Sequence, residues 1–151
     1  SLPIGKAELL RDGGDIVIAA IGQTVLPALK AAQDLAPLGI NAAVVNARFV
    51  KPLDGELFGT LLTRVPRLIT VEDHVIAGGF GSALVEFIAD QGITGVEIKR
   101  LGVPDRFIAH GTQDELRKIC GFDKDAIAQA ALQLVRRGKK KSKEGWERGS
   151  A

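Results

Sequence analysis

The sequence predicts an α/β protein, a three-layer α/β/α sandwich on a mostly parallel five-stranded sheet with one antiparallel edge strand. Short runs rich in Val, Ile and Ala alternate with stretches of helical periodicity, the order of strands joined by crossover helices. Those runs are continuously apolar, as in Ile16-Val17-Ile18-Ala19-Ala20-Ile21, which suits strands covered on both faces. Caps and glycines fall between the two kinds of segment, where chain direction has to change.

Residues 7–11 make a short strand, turned by Asp12-Gly13-Gly14, where glycine can supply positive φ. The apolar run from Ile16 is the first buried strand. Gly22-Gln23-Thr24 then opens a helix to about Leu38, with Thr24 as its cap and Pro27 in its first turn. Gly39 stops it, and residues 41–46 are the next strand. Asp54 caps a second helix that puts Leu57, Phe58, Leu61 and Leu62 on one face. Residues 67–71 are a central strand. Ala83, Leu84, Val85, Phe87 and Ile88 follow a glycine-rich turn in a helix apolar nearly all round, which predicts deep packing. Residues 96–101 are the last strand. Thr112-Gln113-Asp114-Glu115 matches a capping box for a short helix ending at Gly121. Asp123 caps the final helix, whose stripe is Ala126, Ile127, Ala130, Ala131, Leu134 and Val135.

A length of 151 residues fits one domain with its own core. Charge divides it in two. From Arg136 onward seven basic residues face two acidic ones, a net +5, and the rest of the chain carries −3. Residues 1–137 therefore read as the folded domain and residues 138–151 as a basic, solvated, disordered tail. The tail is expected to solubilise rather than to bind nucleic acid. No run reaches the ~20 apolar residues of a membrane span, and the first residues lack the order of a signal peptide. Cys120, the sole cysteine, permits no internal disulfide and agrees with a cytoplasmic location. Its place on a helix's apolar face makes it a core residue rather than a nucleophile.

Two motifs carry candidate chemistry. Gly78-Gly79-Phe80-Gly81-Ser82 opens a helix, and bare amides at a helix start can hold a phosphate. It matches neither GxxxxGK[ST] nor GxGxxG, so the residues favour close helix–sheet packing instead. Glu72-Asp73-His74 follows a strand at the edge where open α/β sheets collect ligands. Two carboxylates beside an imidazole suit acid–base work or a metal, yet no further His or Cys lies near them in sequence. A polar loop with His74 facing a neighbouring domain is the simpler expectation. Arg48, Lys51, Arg106 and His110 also sit in loops and would bind an anion if the fold gathered them; surface ion pairing is the default. GxSxG, HExxH and CxxC are absent from the sequence.

Four blocks together resemble one family. They are Ile4-Gly5-Lys6-Ala7-Glu8-Leu9-Leu10-Arg11-Asp12-Gly13, Ala47-Arg48-Phe49-Val50-Lys51-Pro52-Leu53-Asp54, Val71-Glu72-Asp73-His74-Val75-Ile76-Ala77-Gly78-Gly79-Phe80-Gly81-Ser82, and Leu101-Gly102-Val103-Pro104-Asp105-Arg106-Phe107-Ile108 with His110-Gly111-Thr112-Gln113. As a set they are similar to the C-terminal domain of 1-deoxy-D-xylulose-5-phosphate synthases, within the transketolase superfamily. The resemblance implies a homodimeric transferase that uses thiamine diphosphate and magnesium. Such an enzyme joins a two-carbon unit from pyruvate to glyceraldehyde 3-phosphate, for isoprenoid and thiamine biosynthesis. In that family the cofactor, the metal and the activating glutamate belong to the N-terminal and middle domains. The resemblance therefore assigns no catalytic, cofactor-binding or metal residue to this chain, and no chemistry to it alone. Its partners would be those two domains, met by candidate contacts Glu72, His74, Gly78, Gly79, Gly81, Ser82, Arg106 and His110. Two alternatives stay open: the equivalent domain of a transketolase or of a 2-oxoacid dehydrogenase beta subunit, and a stand-alone anion-binding domain.

Overall fold

The computed structural model describes residues 3–103 and 122–149. Strand β1 (Glu8–Arg11) leads to β2 (Ile16–Ala20), then α1 (Val25–Leu35), β3 (Ala42–Asn46), α2 (Gly55–Arg64), β4 (Arg67–Val75), α3 (Phe80–Asp90), β5 (Glu97–Val103) and α4 (Lys124–Gly149). The sheet order is β1-β3-β2-β4-β5. β1 runs antiparallel to β3, and the other neighbours are parallel. This is the expected sheet.

Alternation inside the apolar runs explains why two cores form. Ile16, Ile18 and Ala20 of β2, with Ala42, Val44, Ile69 and Val71, face α1 and α4. Val17 and Ala19, with Ala43, Val45 and Leu68, face α2 and α3. Successive strand side chains point to opposite faces, so each central strand needs apolar residues throughout. On β4 the second face continues past Leu68 through Thr70 and Glu72, both buried. The core on that side therefore ends in polar groups at the carboxyl edge of the sheet.

Several local expectations change on contact with the fold. Neither Gly13 nor Gly14 takes a positive φ. Gly13 is required by crowding instead, since a Cβ there would lie 2.6 Å from the Asn41 carbonyl oxygen. Gly39, at φ +80°, does end the first helical segment in the left-handed region. Thr24 sits at the start of α1 without capping it. Its hydroxyl turns back, accepting from the Ile21 amide at 3.2 Å and bonding the Val71 carbonyl at 2.9 Å, so it ties β2 to β4. Asp54 and Asp123 cap as expected, accepting from Leu57 N at 3.2 Å and Ala126 N at 2.8 Å. α3 is less enclosed than its composition implies. Phe80, Gly81, Leu84 and Ile88 are buried, while Ala83, Val85 and Phe87 are half-buried because α3 covers the sheet with one side only.

The largest departure is at the end of the chain. α4 does not stop near residue 137 but continues to Gly149. Lys, Arg and Glu are good helix formers, and a helix already seated on the sheet spares them the cost of nucleation. Gly138 lets α4 pass over β4, where a Cβ would fall 2.5 Å from Arg67 Nε. One turn on, Lys141 Nζ meets Glu97 Oε1 at 3.1 Å. Ser142, Lys143, Glu144, Gly145, Trp146, Arg148 and Gly149 are exposed on this helical extension. The short helix expected over residues 112–121, and Cys120 within it, lie outside the described residues.

Phe58 is fully buried in the second core, its ring 6.3 Å from that of Phe80. Phe58→Ala is expected to cost about 3–5 kcal/mol of unfolding free energy. Leu38→Ala, at a site 64% exposed, should stay within about 0.5 kcal/mol. Urea unfolding followed by far-ultraviolet circular dichroism measures both; equal losses would contradict the two-core packing.

Candidate functional site

β4 is four residues longer than its apolar run, so Glu72, Asp73 and His74 lie on a strand rather than in a loop. Pairing carries them there, with Val75 opposite Val103 of β5 after a register shift. Strand alternation then separates the three. Glu72 points into the second core and is 1% exposed, while the His74 side chain is 84% exposed. Asp73 lies on the other side of the strand from Glu72, with 16% of its side chain exposed.

The Glu72 carboxylate is seated at the start of α3. Oε1 accepts from the Phe80 amide at 2.9 Å and Oε2 from the Gly81 amide at 2.8 Å. First-turn amides have no partners within their own helix, and the helix dipole favours an anion beside them. The cap residue, Gly79, has no side chain to serve them, so the strand supplies the acceptor. Gly79 and Gly81 are what allow the approach. A Cβ on Gly79 would overlap Glu72 Oε1, and one on Gly81 would lie 2.6 Å from Thr70 Oγ1. The glycine turn thus does gather with Glu72, but its donors are already occupied by a carboxylate of the same chain. Burial raises the Glu72 carboxyl above the usual glutamate range, against the opposing pull of the two amides, Arg100 and His74.

Ser82 joins the same knot. Its hydroxyl donates to the Ile76 carbonyl at 3.0 Å and accepts from the Gly78 amide at 3.1 Å and from Arg100 Nη1 at 3.0 Å. Arg100 is not conspicuous in the sequence because nothing marks one arginine in a strand as facing the start of the preceding helix, 18 residues earlier. Thr70 Oγ1, beneath Gly81, is buried without a hydrogen-bond partner among the described residues.

Beside this knot, a cleft of about 260 Å³ is lined by Ile21, Gly22, Val50, Glu72, Asp73, His74 and the Gly78–Phe80 turn. It lies between the carboxyl ends of β2 and β4. The chain leaves β2 toward β3 on one side and returns to β4 on the other, so the two strand ends diverge into a crevice. Ile21, Gly22 and Val50 were not singled out beforehand; their signal was position, immediately after β2 and after β3. Arg48 does not join the cleft lining. Its Nη1 donates to the Lys6 carbonyl at 3.1 Å and its guanidinium stacks 5.1 Å over Phe49. Arg106 and His110 lie outside the described residues. No group of three His, Cys, Asp or Glu side chains among the described residues could hold a metal ion.

Residues 5–127 match the model of the transketolase C-terminal domain family. The chain is similar to the 1-deoxy-D-xylulose-5-phosphate synthase of Halothermothrix orenii, 50% identical over 135 residues that make up 89% of this chain and 21% of that protein. It is 54% identical over 129 residues to synthase 1 of Geobacter sulfurreducens, covering 85% of this chain and 20% of the relative. Among solved structures it superposes on a split-gene transketolase described as an inactive beta4 tetramer, with a TM-score of 0.82 and 29% identity, over 89% of this chain and 44% of that one. A Pichia stipitis transketolase shares the fold at 24% identity and a TM-score of 0.62, over 90% of this chain and 19% of that one. The chain spans about a fifth of the length of the curated relatives it matches.

Because Glu72 holds its proton more readily in the folded state than in the unfolded chain, stability should fall as pH rises from the ordinary glutamate range through the raised value. Above that it should be level. Glu72→Gln is expected to remove this slope. It should also cost about 1–3 kcal/mol, because its amide nitrogen cannot accept from a buried backbone N–H. Urea midpoints across pH test both; a variant that keeps the wild-type slope would exclude Glu72 as its source.

Proposed function

The chain belongs to the transketolase C-terminal domain family, and from that membership we propose that it is the C-terminal, positioning domain of a 1-deoxy-D-xylulose-5-phosphate synthase. The reading is carried by one observation: about half of the residues are identical to those of such synthases over nearly the whole chain. The full enzyme would convert pyruvate and glyceraldehyde 3-phosphate to 1-deoxy-D-xylulose 5-phosphate and CO2, as a cytoplasmic homodimer. Thiamine diphosphate, with Mg2+, would supply the carbanion chemistry of that reaction. The start of α3 does not fit the cofactor's diphosphate, because the amides there are spent on Glu72. In this reading the cofactor and its metal belong to the enzyme's other domains, as the family resemblance implies, and no step of the reaction is assigned to this one.

Its work is to hold those domains in place. The carboxyl edge of the sheet is the face best suited, because Val75 at the end of β4 and Leu26 in the first turn of α1 remain exposed, at 44% and 59%. The segment of residues 104–111 follows β5 and belongs to the same proposal. The 2-oxoacid dehydrogenase and free-standing readings gain no support from the relatives found and are not carried further.

The test is turnover of the full-length protein. Release of CO2 from pyruvate should require glyceraldehyde 3-phosphate, thiamine diphosphate and Mg2+ together; release indifferent to the aldehyde would overturn the assignment. His74→Ala and Arg106→Ala in that enzyme should weaken dimerisation or turnover. If sedimentation and kinetics both match wild type, the carboxyl edge is not the contact face.

A further inference from the structure

We propose that the cleft between the ends of β2 and β4 seats one basic side chain, an arginine or lysine of another domain of the same enzyme, with its cation on Asp73. The inference rests on the reading of this chain as one domain of a larger synthase, and it names the chemistry of the contact.

Charge and shape both select that occupant. The cleft lining combines apolar Ile21, Val50 and Phe80 with the polar side chains of Asp73 and His74. Asp73 has lost most of its water, with only 16% of its side chain exposed. Glu72, one residue earlier, is compensated by two backbone amides. Among the described residues Asp73 meets His74 Nε2 at 3.5 Å, and that imidazole is itself 84% exposed. A carboxylate withdrawn from water requires a counter-charge or close donors, and a solvated imidazole at that range is a weak one. Lys and Arg carry a cation on an apolar stem, so the stem fits the walls and the head reaches the acid. An acidic occupant would meet Asp73 and Glu72, and a purely apolar one would bury Asp73 further without compensation. A volume of about 260 Å³ admits one long side chain rather than a helix or a sugar phosphate with its hydration.

The test uses the full-length enzyme and hydrogen exchange read by mass spectrometry in peptides covering residues 21–24 and 73–80. Asp73→Lys puts a second cation where the anchor's cation belongs, and Val50→Trp fills the cleft without altering charge. Each should raise exchange in both peptides about tenfold, equivalent to roughly 1.4 kcal/mol of docking. A peptide of another domain, the one bearing the basic side chain, should rise with them. Asp73→Glu should keep most of the protection. Asp90→Lys, at the far end of α3, should leave it intact. Wild-type exchange in both Asp73→Lys and Val50→Trp overturns the proposal. A response shared only with residues 104–121 also overturns it, because the occupant would then be this domain's own segment. Absence of synthase turnover in the unmodified enzyme would instead sink the functional reading, leaving the exchange result to stand by itself.

Discussion

The carboxylate of Glu72 meets the first amides of α3 at the point where the second core reaches the edge of the sheet. A buried carboxylate and two unpaired helix amides would each be costly alone, and together they largely cancel. Much else depends on that cancellation. It sets how close α3 lies to β4, which in turn requires glycine at positions 79 and 81. It continues into the turn, where Ser82 bonds Gly78, Ile76 and Arg100 and so fixes the loop between β4 and α3. The cleft beside it takes its shape from that loop.

The same pairing turns a familiar ligand motif into a structural one. A glycine-rich helix start at the carboxyl edge of a parallel sheet is the usual place for a phosphate. Here the protein's own carboxylate occupies the position a phosphate oxygen would take, so the anion-binding property is used to join strand to helix. That agrees with the placement role proposed for the domain.

The fold was legible because apolar continuity and helical spacing report burial directly. The runs at Ile16 and Arg67 and the stripe from Ile127 to Val135 each found the expected layer. What the sequence did not disclose were relations between distant residues. Glu72 looked like part of a polar loop because its partners are backbone amides, which leave no trace in residue identity. Thr24 looked like a cap, yet the Val71 carbonyl of the adjoining strand lies within reach of its hydroxyl. Arg100 was invisible as a member of the site, and Gly13 was read as a turn former where it is a spacer against β3. The extension of α4 was not legible for a related reason: a helix already anchored on the sheet can run on through residues that would not nucleate one.

That extended helix has an optical consequence. Twenty-six residues at 1.5 Å each make α4 about 39 Å long, and its last turns carry Trp146, 75% exposed and the only tryptophan in a chain that has no tyrosine. The near-ultraviolet emission of these 151 residues therefore originates almost wholly from a solvent-washed arm. A fluorimeter trained on it would register fraying of the arm and stay dark to the loss of either core, so two-state behaviour inferred from emission alone would describe the wrong part of the molecule.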